Sequence, residues 1–201
     1  MCLLMKPLTL SLLAGVVLLV YFFPERRIPR PPGVLVPEEP RQTDLRDGVA
    51  WEHQGYRILP LATFSIRARV LFKERYWMGR ESNLSPLDLT VGWGLMSDQA
   101  VLDQYRISRG YRRFWWQPRN GAAAAVKTDV ITHSANIHII PATDDLARSL
   151  EGLHPGNIVE MGGMLVEADG RDGWKWRSSL TRDDTGDGAC ELMWVEWMRA
   201  R

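Results

Sequence analysis

Three stretches of the chain hold residue types that could do chemistry. In His133-Ser-Ala-Asn-Ile-His138, two imidazoles, a hydroxyl and an amide fall within six residues. A metal ion needs ligands that converge on one point. Positions 133 and 138 differ by an odd number, so on a strand they face opposite ways, and an offset of five fits a helix poorly. A serine nucleophile needs an orienting third group and an oxyanion hole, and Ser134 does not sit in a G-x-S-x-G elbow. These residue types instead predict a buried turn in which His133, Ser134 and Asn136 bond nearby backbone. His133, Ser134, Asn136 and His138 remain a candidate polar site, with hydrolysis the least favoured use of it.

Asp183-Asp-Thr-Gly-Asp-Gly188 has the opening pattern of a calcium loop, which would place Asp183, Thr185 and Asp187 on the ion. The twelfth position would be Trp194 where such a loop needs a bidentate Glu, so the expectation is a tight Asp/Gly loop and no metal. Tyr111-Arg-Arg-Phe-Trp-Trp-Gln-Pro-Arg119 is a basic aromatic patch. Arg112, Arg113, Trp115 and Trp116 are its candidate ligand-binding residues, because guanidinium groups and stacking rings suit single-stranded nucleic acid or sugars. A strand there would place Arg112, Phe114 and Trp116 on one face and Tyr111, Arg113 and Trp115 on the other. Cys190 lacks a basic neighbour in sequence, which predicts a structural thiol. Asp88 and Asp98 read as carboxylates at helix starts rather than as an acid/base pair. No catalytic residue and no cofactor is implied.

The elements that must position these groups emerge from composition and pattern. The chain has 201 residues and a formal net charge of +1, which excludes a global basic footprint for nucleic acid. Nine tryptophans point to a bulky aromatic core or binding face. Residues 7–23, PLTLSLLAGVVLLVYFF, carry no charge, and at 1.5 Å per residue they make a helix of about 25 Å. Residues 1–23 therefore read as an uncleaved single-pass anchor, with no small-x-small cleavage site after the apolar run. Its topology signals oppose each other. Arg26, Arg27 and Arg30 favour a cytoplasmic domain, whereas the very short leading tail favours a signal-anchor that exports the domain behind it, and the periplasmic side is preferred.

Residues 24–48 hold six prolines and read as a stiff spacer, with the globular domain at 49–201. A hairpin is expected around His53-Gln54-Gly55. Phe64, Ile66, Ala68 and Val70 alternate with polar residues, as on a half-buried strand. Ser85-Pro86 and Ser97-Asp98 predict two short helix starts, and Thr143 caps a third helix beginning at Asp144. Ile107 to Trp116 is a strand candidate, and short strand-like runs flank His133 to Asn136. Asn157–Ala168, Trp174–Leu180 and Leu192–Met198 read as a three-stranded meander. The fold class is α+β, mostly antiparallel. It is either a small OB-like barrel, with Gly162-Gly163 at a sharp bend, or an open sheet with helices on one face.

Four groups of short motifs stand out together: Ser85-Pro-Leu-Asp-Leu89, Gly92-Trp-Gly94 with Met96-Ser-Asp98, His133 to Asn136 with Ile140-Pro-Ala142, and Ser178-Ser-Leu-Thr-Arg-Asp183 through Glu191. They resemble an uncharacterised family of bacterial single-span membrane-anchored proteins, from about Tyr56 to the C-terminus. The resemblance implies a cell-envelope setting and transfers no activity. The resulting expectation is a non-enzymatic binding or assembly module of the inner membrane with a protein partner. An oligonucleotide- or glycan-binding OB-like domain is the alternative.

Overall fold

The computed structural model describes residues 26–119, 130, 132–182 and 188–201. The expected anchor at 1–23 and the candidate calcium residues Asp183, Thr185 and Asp187 lie outside them. Among the described residues, no helix is long and apolar enough to cross a membrane.

The fold is α+β and mostly antiparallel. Its strands are β1 (Arg41–Asp44), β2 (Trp51–His53), β3 (Tyr56–Arg75), β4 (Leu87–Gly92), β5 (Tyr105–Gly110), β6 (Arg113–Pro118), β7 (Ser134–Pro141), β8 (Ile158–Gly170), β9 (Lys175–Arg177) and β10 (Glu191–Ala200). Short helices are α1 (Arg80–Leu84), α2 (Gln99–Leu102) and α3 (Asp144–Glu151). The pairings β3–β4, β4–β7 and β10–β8 are antiparallel, β7–β10 is parallel, and β8 pairs again with β3 along its whole length. β1 and β2 add to β3, and β5–β6 is a separate hairpin.

Alternation explains the central strands. Phe64, Ile66, Ala68 and Val70 of β3 share the main core with Leu87, Leu89 and Val91 of β4 and Ile137 and Ile139 of β7. A second core on the opposite side gathers Ile58, Leu84, Ile140, Val166 and Leu192 under Trp174 and Trp176. Pro60 falls where the β3–β8 register shifts, the place a residue without an N–H is tolerated. The β2–β3 hairpin forms as expected, with Gln54 and Gly55 both at positive φ. Thr143 Oγ1 accepts from Leu146 N at 3.2 Å and caps α3.

Several expectations are corrected. Ser85-Pro86 does not start a helix: Ser85 ends α1, and the alternation of Asp88 and Thr90 with three buried aliphatics makes Leu87–Gly92 a strand. The helix after Asp98 ends at Leu102, and Tyr105 already begins β5. The strand over 107–116 is a hairpin that turns at Tyr111-Arg112, both at positive φ. Ser134 to Asn136 are strand residues rather than a turn between strands. In place of a meander, β9 and β10 lie end to end on one edge of β8, because β3 occupies the other edge throughout. The proline-rich stretch is part of the folded unit from Ile28 onward. Ile28 N bonds Pro155 O at 2.8 Å, Val36 is fully buried in the main core, and β1 pairs with β3.

Candidate functional site

The face of β4 and β7 that points away from the main core carries polar residues in register, Asp88 opposite His138 and Thr90 opposite Asn136. All four are buried. Such a face must satisfy its polar atoms from elements laid over it. The tip of the β5–β6 hairpin does this. Arg112 Nη1 donates to Asp88 Oδ1 at 2.8 Å, and Nη2 donates to Ser85 O at 2.8 Å. Asn136 Nδ2 donates to Arg112 O at 3.0 Å, while Thr90 Oγ1 donates to Asn136 Oδ1 at 3.2 Å. His138 Nδ1 lies 2.9 Å from Asp88 Oδ1, and no hydrogen bond joins the two. Asp88 Oδ2 is buried without a hydrogen-bond partner among the described residues.

Aromatic rings close the cluster. The Arg112 guanidinium lies 3.9 Å from the centre of the Tyr76 ring and 5.4 Å from that of Trp176, and Trp176 packs on His138 at 4.8 Å. Burial first, then the charges of Asp88 and Glu74, push the Tyr76 hydroxyl pKa up, so it stays protonated. Burial also pushes the Cys190 thiol up to about 12, with Glu191 adding to the effect. Cys190 donates to Arg112 O as a thiol over 3.9 Å.

Tyr111 and Arg112 adopt left-handed backbone at φ 51° and 60°, without glycine. Such positions cost on the order of 1–3 kcal/mol each and persist only where surrounding contacts hold them. Here the Arg112 contacts do so. The strained turn presents Tyr111 to solvent at 97% exposure. Immediately beyond Tyr76, Trp77 and Met78 are 75% and 89% exposed. Trp115, on the outward face of β6 with Arg113, is also exposed. A buried ionic cluster therefore fixes two loops that display large apolar side chains.

The remaining sequence candidates fall in different places. Arg113 and Trp115 share one face of β6, and Trp116 turns inward to an edge contact with Phe114 at 5.8 Å. Arg112 leaves its expected face because it is a turn residue, and its guanidinium is engaged internally. Ser134 Oγ donates to Val130 O at 2.6 Å. His133 belongs to another cluster, where its Nε2 lies 3.3 Å from Glu39 and its ring packs over Gly94. His133 and His138 thus serve separate places, and among the described residues no group of His, Cys, Asp and Glu could hold a metal.

The Gly92-Trp-Gly94 and Ser97-Asp98 motifs hold the proline-rich strap. Trp93 Nε1 donates to Glu39 at 2.7 Å, Gly94 N to Val36 O at 2.7 Å, and Ser97 Oγ accepts from both Leu35 N and Val36 N at 3.0 Å. Asp98 caps α2 and also accepts from Gly33 N at 2.8 Å. Tyr76, Asp88, Thr90 and Trp176 were not among the candidate residues. The signal that could have found Asp88 and Thr90 is their period-2 spacing between Leu87, Leu89 and Val91.

No protein-family profile, no curated protein and no solved structure matches the chain.

Proposed function

We propose that this chain is a non-enzymatic, membrane-tethered binding module that grips a partner protein through the tip bearing Trp77, Met78, Tyr111 and Trp115. The observation that carries this reading is the joint exposure of these side chains, with Tyr111 almost fully exposed on a turn that Arg112 pins to buried Asp88. Trp, Tyr, Met and Arg are enriched in the centres of protein interfaces, and a surface held in its binding shape loses little entropy on association. The ring of pairings through β3, β4, β7, β10 and β8, with α3 between β7 and β8, supports a small OB-like barrel. In such barrels the second and third strands and the first loop commonly carry the ligand. Arg112 and Trp176 cover that strand face here, while the first loop carries Trp77 and Met78. The uncharged residues 7–23 support a tether in the bacterial inner membrane.

The test places a photo-crosslinking residue at Trp77, at Tyr111 and, as an exposed control, at Val49 in cells. The reading requires one discrete protein adduct shared by positions 77 and 111 and absent at 49. It also requires Trp77→Ser to remove the Tyr111 adduct at an unchanged melting temperature. Adducts to lipid alone, or none shared by the two positions, overturn it.

A second reading, oligonucleotide or glycan binding, is favoured by Arg113 and Trp115 sharing one exposed face. It requires Trp115→Ala to weaken oligothymidylate or glycan binding without lowering the melting temperature, and equal binding sinks it.

A further inference from the structure

A cleft of about 490 Å³ opens between the strap, the middle of β3, α2 and the β5–β6 hairpin. Its charged lining is Arg27, Arg30, Arg69, Arg106, Arg119 and Asp103. Five guanidinium groups against one carboxylate is a steep local excess in a chain whose net charge is only +1. Nothing in the composition requires it, because the charges come from four separate stretches that folding brings together.

Arg69 is the second observation. It is only 5% exposed, yet no carboxylate contacts it among the described residues. Its Nη1 donates to Ser97 O at 3.1 Å, its Nη2 bonds the Gln99 side chain, and its Nε is buried without an acceptor. Asp103, the one acid of the cleft, is engaged by Gln99 Nε2 at 2.7 Å. A buried cation is ordinarily paired in direct contact, and this one has Asp98 and Asp103 nearby but no ion pair with either among the described residues. Burial first, and then the neighbouring Arg30 charge, disfavour its cationic form, and the Asp103 and Asp98 charges oppose them. Arg30 and Arg119 are oriented through their Nε atoms, on Gly156 O at 2.8 Å and Tyr105 O at 3.0 Å. The Arg106 backbone is in the β5–β6 ladder, and its side chain makes no hydrogen bond or ion pair among the described residues.

We infer that this cleft binds a phosphate-bearing anion, held by Arg30, Arg106 and Arg119 against the positive wall that Arg69 supplies. Guanidinium forks match phosphate oxygens in pairs, and several of them call for a small anion of high charge density. Two sources share this chemistry, a soluble phosphate ester and the headgroup of an anionic phospholipid. The headgroup is within reach: residues 24–30 come directly after the apolar stretch, and seven residues extend at most about 25 Å. The site stands on the cleft alone, and only its lipid source rests on the proposed tether.

The test uses the full chain in nonionic detergent, titrated calorimetrically with glycerol phosphate, dihexanoyl phosphatidylglycerol and zwitterionic dihexanoyl phosphatidylcholine. Saturable binding of a phosphate probe is expected. It should weaken roughly tenfold or more in Arg106→Ala and in Arg119→Ala, since a hydrogen bond to a charged group is worth about 1.5–3 kcal/mol. It should stay unchanged in Arg171→Ala, which alters an exposed turn outside the cleft. Tighter binding of phosphatidylglycerol than of glycerol phosphate, with none of phosphatidylcholine, supports the site with a lipid source. Equal binding of the first two supports it with a soluble source. No saturable binding of either phosphate probe, or affinities unchanged in both cleft variants, overturns the assignment. The Trp77 adduct is read separately, so this failure and that of the partner-binding proposal are distinguishable.

Discussion

Arg112 and Asp88 are joined at 2.8 Å across 24 residues of sequence, from the tip of a hairpin to the start of a central strand. Asp88 is 3% exposed and the Arg112 side chain 16%, so this ion pair is largely shielded from water beneath two aromatic rings. Removing one partner strands the other charge in the interior. Arg112→Met should therefore lower stability by about 3–5 kcal/mol, and adding Asp88→Asn should recover part of that loss. Equilibrium denaturation of the four-member cycle measures it. Losses that simply add would show that the two residues act independently.

Ser97 is a buried clamp on the strap. Its hydroxyl accepts from Leu35 N and Val36 N and donates to Gly94 O at 2.7 Å. Ser97→Ala leaves two backbone donors without their acceptor, at a cost of about 1–3 kcal/mol. Hydrogen exchange should accelerate first at Leu35 and Val36. Unchanged protection there would mean that Val36 burial alone holds the strap.

Gly162 and Gly163 face an irregularity in β10, where the register shifts between Val195 and Trp197. A Cβ at Gly163 would lie 2.0 Å from the Trp194 carbonyl oxygen, and one at Gly162 would reach the Trp197 indole at 2.5 Å. Gly163→Ala should destabilise by roughly 1–3 kcal/mol through forced backbone movement. Gly162→Ala should be tolerated better, since Trp197 is a half-exposed side chain that can swing away. Thermal denaturation of the two variants ranks them, and the reverse order would refute the argument.

Cys190 should be silent toward alkylating reagents in the native chain. Its thiol is raised from the ordinary value of 9.0 to about 12 by burial. The folded state therefore favours the proton, and the stability this contributes below pH 9 is lost as pH rises toward 12. In a Cys2→Ser background, iodoacetamide at pH 8 should label the denatured chain and leave the native chain unlabelled by mass spectrometry. Cys190→Ala should flatten the fall in melting temperature between pH 9 and 12. Rapid native labelling would show a thiolate and reopen a nucleophilic role.

The sequence by itself determined whatever depends on neighbours a few residues apart. The alternation of Phe64, Ile66, Ala68 and Val70 makes β3 a half-buried strand, because successive side chains on extended backbone point opposite ways. Gln54-Gly55 makes a tight turn, and Thr143 caps the next helix, each through bonds to its own local backbone. The mostly antiparallel α+β class comes from these periods. Tertiary structure decided the partners. Nothing near Asp88 announces Arg112, Ser97 lies 61 residues from the Val36 amide it accepts, and the five arginines of the cleft come from four stretches of chain. Local pattern also misread Ser85-Pro86 as a helix start and the proline-rich stretch as a spacer. Strand pairing and burial outweigh weak local preferences, and they act between residues whose separation in sequence carries no signal.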